Sequence, residues 1–325
     1  MPTNGCKSTV KGIEHVLVTG GAGYIGSTLV PLLLKSGLKV TVYDSFKYGV
    51  SSLLGFTQNP NLCLVKGDVC DRGLLAQVIT NVDAVIHLAA IVGYPACDKD
   101  PEEAHRVNVE GTATVASLIT SQKLVYSSTG SCYGAITETC TEETPISPLT
   151  LYGSTKASGE KEILDKSGIV LRLATLFGVS PRPRFDLLIN ELTQRALKDA
   201  ELSVYEPNFR RTFLHVRDAA RAFLFALQNY STMSGNVFNV GDEVMNMTKA
   251  EAVYRIQKYL PQTKIYLTNE GKDMDQRNYI VSYRKLSKLG FRSTISLDDG
   301  IQELIKVLPS MTQIEINFYR NHFQG

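Results

Sequence analysis

The chain of 325 residues is 43% hydrophobic and 20% charged, with a net charge of +2. That balance describes a globular protein with room for one large core or two moderate ones, and it argues against an electrostatically driven binder of nucleic acid or membrane surfaces. No apolar run reaches the roughly 20 residues that cross a bilayer. Six cysteines without a Cys-x-x-Cys pair or metal-ligand spacing fit free thiols in a reducing compartment, with the cytoplasm as the expected location.

Residues 1–12 are polar, lack the apolar core of a signal peptide and are expected to form a disordered lead-in. His15–Thr19 then reads as a strand. It runs into glycines at Gly20, Gly23 and Gly26 and passes at once into an amphipathic helix, Tyr24–Ser36. That order suits a dinucleotide pyrophosphate: Gly20 allows a sharp turn, Gly23 lets backbone amides approach phosphates, and Gly26 lets helix and strand pack closely. The helix N-terminus adds unsatisfied N–H groups and a partial positive charge. The next strand, Lys39–Tyr43, ends in Asp44, 18 residues past Gly26, where a carboxylate accepts from both hydroxyls of an adenosine ribose. Its charge repels the added phosphate of NADP, so the expected cofactor is NAD, with Lys47 nearby softening the preference.

The alternation continues with strands at Leu62–Lys66, Ala84–Leu88, Lys123–Ser127 and Ile169–Leu173, and helices at Arg72–Thr80, Pro101–Thr120 and Leu151–Lys166. This is the pattern of an α/β protein with a Rossmann-type doubly wound parallel sheet, which binds ligands at the carboxyl ends of its strands. Residues 13–178 are assigned to that NAD-binding domain. Past Phe177, Ser180-Pro-Arg-Pro-Arg184 breaks the rhythm. Helices are expected at Phe185–Lys198, Phe213–Asn229, Met247–Leu260, Ser282–Leu289 and Leu297–Leu308, and a strand at Asn236–Val240. Residues 179–325 therefore read as a smaller, mixed α+β substrate-binding region, within which 213–240 returns to the first domain.

Tyr152-Gly-Ser-Thr-Lys156 places a phenol and an ammonium four residues apart, on one face of a helix. A nearby ammonium favours phenolate over phenol, which yields a general base able to take a proton from an alcohol. Thr129 follows the strand Lys123–Ser127, so its hydroxyl is expected at the carboxyl edge of the sheet, above the glycine turn. Other polar residues read as structural. His87 ends an apolar strand, His215 lies between Leu214 and Val216, and Cys132 is a lone apolar-flanked thiol. Asp68 with Asp71 lacks a partner set for a metal, so no metal site is expected.

Gly20-Gly-Ala-Gly-Tyr-Ile-Gly26, Asp68-Val69, His87-Leu-Ala-Ala90, Asn108-Val-Glu-Gly111, Ser127-Ser-Thr129, Tyr152 to Lys156 and Arg211-Thr-Phe-Leu-His-Val216 follow one another along nearly the whole chain. Jointly they resemble an extended short-chain dehydrogenase/reductase of the NAD-dependent epimerase/dehydratase branch, which acts on nucleotide sugars. The resemblance implies roles. Tyr24 and Ile25 join the glycines at NAD, Asp68 and Val69 border the adenine, and Leu88, Ala89 and Ala90 line the cofactor cleft. Asn108 belongs to the cofactor-binding set and braces the central strands. Tyr152 is the base, Lys156 holds the nicotinamide ribose, and Thr129 and Thr175 face the substrate. Arg211 or its neighbour Arg210 binds the substrate diphosphate, with help from Arg277. A homodimer through a four-helix bundle of Pro101–Thr120 and Leu151–Lys166 is implied as well.

The chemistry is narrowed by absences at the site. In the dehydratase branch an Asp-Glu pair follows the catalytic threonine, and the decarboxylase branch usually carries a Glu at the second of those places; here they hold Gly130 and Ser131. Glu138, Glu142 and Glu143 lie in a downstream loop, where carboxylates are usually solvated. Epimerisation at C4 needs no further acid or base and is the first expectation. The stretch Leu173 to Asp186, with Thr175 where many 4-epimerases carry Asn, also resembles modified-sugar and heptose dehydrogenases. A 4-dehydrogenase or ketoreductase is therefore the alternative. A non-catalytic NAD-binding regulator is the alternative of another class, and intact Thr129, Tyr152 and Lys156 count against it.

Overall fold

The computed structural model describes residues 10–268 and 278–321. Val10 and Ile13 are packed into the main core, so the lead-in expected at 1–12 is ordered from Val10, and residues 1–9 lie outside the described residues.

The first half is a βα alternation: β1 (His15–Thr19), α1 (Gly26–Lys35), β2 (Lys39–Asp44), β3 (Leu62–Lys66), α2 (Arg72–Ile79), β4 (Ala84–His87), α3 (Tyr94–Lys99), α4 (Pro101–His105), α5 (Gly111–Leu118) and β5 (Lys123–Thr129). Then follow β6 (Ala135–Cys140), α6 (Leu151–Leu164), β7 (Ile169–Leu173) and β8 (Thr175–Phe177). One seven-stranded sheet runs β11-β7-β5-β4-β1-β2-β3, with β11 at Val237–Val240 and every neighbouring pair parallel. β4 and β7 are buried along their full length, which is why they read as unbroken apolar runs rather than alternating ones. The strand order reverses between β1 and β4, and a crevice opens there beyond the carboxyl ends of the strands.

Local signals set where elements begin. The Asp71 carboxylate accepts from Gly73 and Leu74 N–H to cap α2, and the Thr150 hydroxyl accepts from Gly153 N–H at 3.1 Å to cap α6. The Thr150 cap fixes Tyr152 in the first turn of α6, at the edge of the sheet. The helix expected at Pro101–Thr120 is interrupted by a π-helical segment, Arg106–Glu110. A π-turn inside a helix redirects the side chains that follow it. Here it turns Asn108 inward and brings Gly111 so close to Val69 that an added Cβ would lie 2.7 Å from its Cγ2.

The second half is less regular. It comprises α7 (Leu188–Asp199), β9 (Glu201–Tyr205), β10 (Arg210–His215), α8 (Val216–Gln228), β12 (Asn246–Thr248), β13 (Lys264–Thr268), β14 (Asn278–Val281) and helices at Lys249–Tyr259, Arg284–Lys288, Leu297–Val307 and Gln313–Phe318. The expected helix at Phe213–Asn229 is corrected at its start. Phe213–His215 pairs parallel with β8, and the helix begins at Val216, capped by the His215 Nδ1, which accepts from Arg217 N–H. Small sheets β12-β10-β8, β13-β9 and β14-β6 join segments far apart in sequence. A second core, including Phe177, Phe185, Phe213 and Ile301, holds this region together.

Candidate functional site

A cleft of about 820 Å³ opens at the carboxyl ends of β1, β2, β4 and β5 and is lined by residues from both halves. At one end lies the glycine turn. Gly20 has φ +70°, and a Cβ there would sit 2.7 Å from the Ala89 nitrogen. At Gly26 a Cβ would come within 2.5 Å of the Gly20 oxygen and the Gly21 Cα. Gly23 meets only the Gly20 oxygen, at 3.2 Å, so its backbone stays open to the cleft. No side chain caps α1 and no acidic residue stands in its first turn. The turn and the helix start therefore fit a diphosphate, drawn by the positive end of the α1 dipole.

Asp44 lines the same end. Its carboxylate accepts from Ala22 N–H at 3.0 Å and Phe46 N–H at 2.8 Å, while burial raises its pKa. Lone pairs remain on both oxygens for ribose hydroxyls. Asp68 and Val69 line the cleft beyond β3; Asp68 pairs with Arg106 at 2.8 Å. Leu88, Ala89, Ala90 and Ile25 are also lining residues. Tyr24 lines the cleft and donates to the Gly178 oxygen at 2.7 Å, tying the turn to the end of β8. Asn108 is not a lining residue. It accepts from Ile91 N–H at 2.8 Å and donates to the Ile91 oxygen and to Thr155 Oγ1, both at 3.0 Å. It thus braces the segment after the central strand β4 against α6 and stands behind the residues that line the cleft.

Thr129, Tyr152 and Lys156 all line the cleft beside the glycine turn. Thr129 is the last residue of β5, which runs two residues past the expected end at Ser127, and its Oγ1 donates to Ser131 Oγ at 3.0 Å. Lys156 is buried with its ammonium 4.0 Å from the centre of the Tyr126 ring. Burial pushes its pKa down to about 7, against the opposing pull of Glu160. Glu160 is itself held by Arg172 at 2.7 Å, so the helix carrying Tyr152 and Lys156 is bolted to β7 by a buried ion pair.

Arg182 lines the cleft beside the start of α1, its N–H donating to Ser27 Oγ, and Thr175, Arg184, Asp186, Glu191, Arg211 and Arg320 line the rest. The Thr175 Oγ1 is buried without a partner among the described residues. Arg211 is buried and lines the cleft, whereas Arg210 is partly exposed and outside it. Arg277 lies outside the described residues. Arg184 binds Asp186 with two guanidinium nitrogens, at 3.2 and 2.5 Å. Sequence reasoning registers Pro-Arg-Pro-Arg only as a break in rhythm; an arginine's burial has no signature in composition.

The remaining candidates sit away from the cleft. His87 is fully buried and stacks on Tyr126. Thr19 Oγ1 lies 2.7 Å from its Nδ1, and Thr112 Oγ1, which donates to the Asn108 oxygen, lies 3.0 Å from its Nε2. Burial lowers its pKa to about 3, so it is neutral. His215 is buried against Phe177 with its Nε2 2.8 Å from Glu303. Cys132 is packed in the main core. Glu138 and Glu143 are exposed, and Glu142 accepts from Asn239 N–H at 2.8 Å; none of these glutamates lines the cleft. Among the described residues no cluster of metal-ligating side chains occurs, and no helix is long and apolar enough to cross a membrane.

Comparison with known proteins supplies an independent reading. The model of the NAD dependent epimerase/dehydratase family matches residues 16–241. A dTDP-glucose 4,6-dehydratase of Streptomyces niveus is 29% identical, over 90% of this chain and 92% of its own length. The crystal structure of dTDP-glucose 4,6-dehydratase from Bacillus anthracis strain Ames in complex with NAD is 27% identical with a TM-score of 0.81, covering 94% of this chain and 100% of that one. UDP-glucuronic acid 4-epimerase from Bacillus cereus in complex with UDP-glucuronic acid and NAD is 25% identical with a TM-score of 0.80, covering 91% and 99%.

Proposed function

The chain belongs to the NAD-dependent epimerase/dehydratase family, and from that premise we propose that it is an NAD-dependent 4-epimerase of a nucleotide sugar. NAD is its cofactor, a reading supported by the similarity to structures that contain NAD. When bound, NAD supplies the reversible two-electron oxidation of the sugar carbon. Tyr152 takes the proton of the C4 hydroxyl and returns it after the ketone has turned over in the site. Lys156 favours the phenolate form of Tyr152, and Thr129 orients the substrate hydroxyl. Arg211 clamps the diphosphate through charge-assisted hydrogen bonds, which hold a sugar far better than its hydroxyls alone. The reading includes a homodimer through 101–120 and 151–166, supported by the side-by-side packing of α5 and α6.

One observation carries the choice of epimerase. Each described carboxylate lining the cleft is already engaged: Asp44 by backbone amides, Asp68 and Glu103 by Arg106, Asp186 by Arg184, and Glu191 by Arg320. Loss of water from a 4-keto sugar needs a base at C5 and an acid at the C6 hydroxyl. Gly130 offers neither, and Ser131 is occupied with Thr129. Epimerisation needs only Tyr152 and space. Thr175, in place of the Asn of many 4-epimerases, keeps a 4-dehydrogenase or ketoreductase as the second reading.

The test is incubation of the protein and NAD with UDP-, dTDP-, CDP- and GDP-sugars. The expected result is an isomeric product without accumulated NADH, and roughly 10²-fold or slower turnover in Tyr152→Phe with NAD binding retained. Stoichiometric NADH supports the dehydrogenase reading. Normal turnover by Tyr152→Phe overturns the choice of base.

A further inference from the structure

Arg184 and Arg320 at the cleft each have a carboxylate partner, and Arg211 donates to the Arg210 oxygen. Arg182 differs. It is only 3% exposed, and among the described residues neither its Nε nor its Nη2 has a hydrogen-bond partner. A guanidinium withdrawn from water with two donors unused is a costly arrangement unless an anion completes it.

Backbone hydrogen bonds and a ring contact hold it in place. The Arg182 backbone N–H donates to Ser27 Oγ at 3.1 Å, in the first turn of α1, and its carbonyl oxygen accepts from Ser180 Oγ at 2.6 Å. The guanidinium sits over the Tyr48 ring, with its central carbon 4.0 Å from the ring centre. The carboxylates nearby are spent: Asp186 is bound to Arg184, and Asp44 to two backbone amides. Burial, followed by the like charge of Arg184, draws the Arg182 pKa down to about 10, the mark of a site short of negative charge.

We infer that Arg182 is a diphosphate-binding residue, reaching from the segment after β8 across the glycine turn to the cofactor's pyrophosphate. The inference rests on the reading of the cleft as an NAD site. The planar fork of arginine matches phosphate oxygens, and the start of α1, with no capping or acidic side chain, adds the positive end of a helix dipole. Two diphosphates are available in this chemistry, those of cofactor and substrate. The cofactor's is chosen because Arg182 is anchored to α1 and faces Asp44, whereas Arg211 stands on β10. A 2′-phosphate would fall on the Asp44 carboxylate and be repelled. Since Arg184 and Asp186 follow in the same segment, a grip on the cofactor also fixes the wall of the substrate end.

The test is calorimetric titration of the full chain and of Arg182→Gln and Arg182→Lys with ADP-ribose, NAD and UDP, together with thermal unfolding of the unloaded proteins. Arg182→Gln should bind ADP-ribose and NAD roughly 10- to 100-fold more weakly, with UDP unchanged. Arg182→Lys should recover part of the loss. Unloaded Arg182→Gln should be at least as stable as the wild type, because an uncompensated buried cation has been removed. Unchanged ADP-ribose affinity, a loss confined to UDP, or a loss of stability with affinity intact would each overturn the inference. A wild-type protein that binds neither NAD nor ADP-ribose overturns the cofactor reading and this inference with it.

Discussion

At the nucleotide end of the cleft the working surface is backbone: Gly20, Gly23 and Gly26, the uncapped first turn of α1, and an aspartate oriented by the Ala22 and Phe46 amides. At the other end it is side chain, with Arg184 on Asp186, Arg320 on Glu191, and Arg211 and Thr175 facing the space between. Backbone recognises what every dinucleotide offers and tolerates almost no added atom. Side chains can be exchanged without moving the chain, so specificity is placed where substitution is cheapest. Change in the backbone turn of the first end should therefore harm fold and cofactor together, and change among the side chains of the second should separate substrate from cofactor.

The largest effect is expected from Gly26→Ala. The new Cβ would meet backbone atoms 2.5 Å away, which no side-chain rotation relieves. Overpacking should cost roughly 1–3 kcal/mol, and NAD should no longer raise the melting temperature as it does for the wild type. A variant with normal stability and NAD response would show that the turn is more forgiving than its geometry. Arg211→Ala should act only on the second ligand, weakening UDP-sugar binding roughly 10- to 100-fold while NAD affinity holds. Parallel losses of both ligands would erase the contrast between the two ends.

The effect most remote from either ligand lies beneath the cleft, at His87. The folded protein keeps this ring neutral down to about pH 3, while the unfolded chain protonates it near pH 6.5. The stability it contributes is complete above pH 6.5 and lost as the pH falls toward 3, by about 1.4 kcal/mol per pH unit. Denaturant titrations between pH 6 and pH 4 should show a shallower slope for His87→Gln than for the wild type. Equal slopes would mean that other groups govern acid unfolding.

Much of the first end is legible in the sequence because its signals are local. Three glycines, a strand ending in Asp44 and the Tyr152–Lys156 spacing each lie within one or two elements. The second end is written in contacts across long separations. Phe213 to His215 carries an apolar pattern that fits a helix, and only pairing with β8 makes it a strand. β6 and β14 pair across more than half of the second region, so neither announces itself alone. Asn108 reads as a brace, but the π-helical segment that aims it at Ile91 and Thr155 has no simple sequence signature. Buried arginines are hidden for another reason: 20% charged residues looks ordinary whether the charges face water or the cleft.

The most direct test follows a deuterium label at C4 of a nucleotide sugar accepted by the protein. A 4-epimerase should return the label to C4 of the opposite epimer, with the substrate's mass unchanged. Label accumulating in free reduced nicotinamide, or a product lighter by one water, would contradict the account.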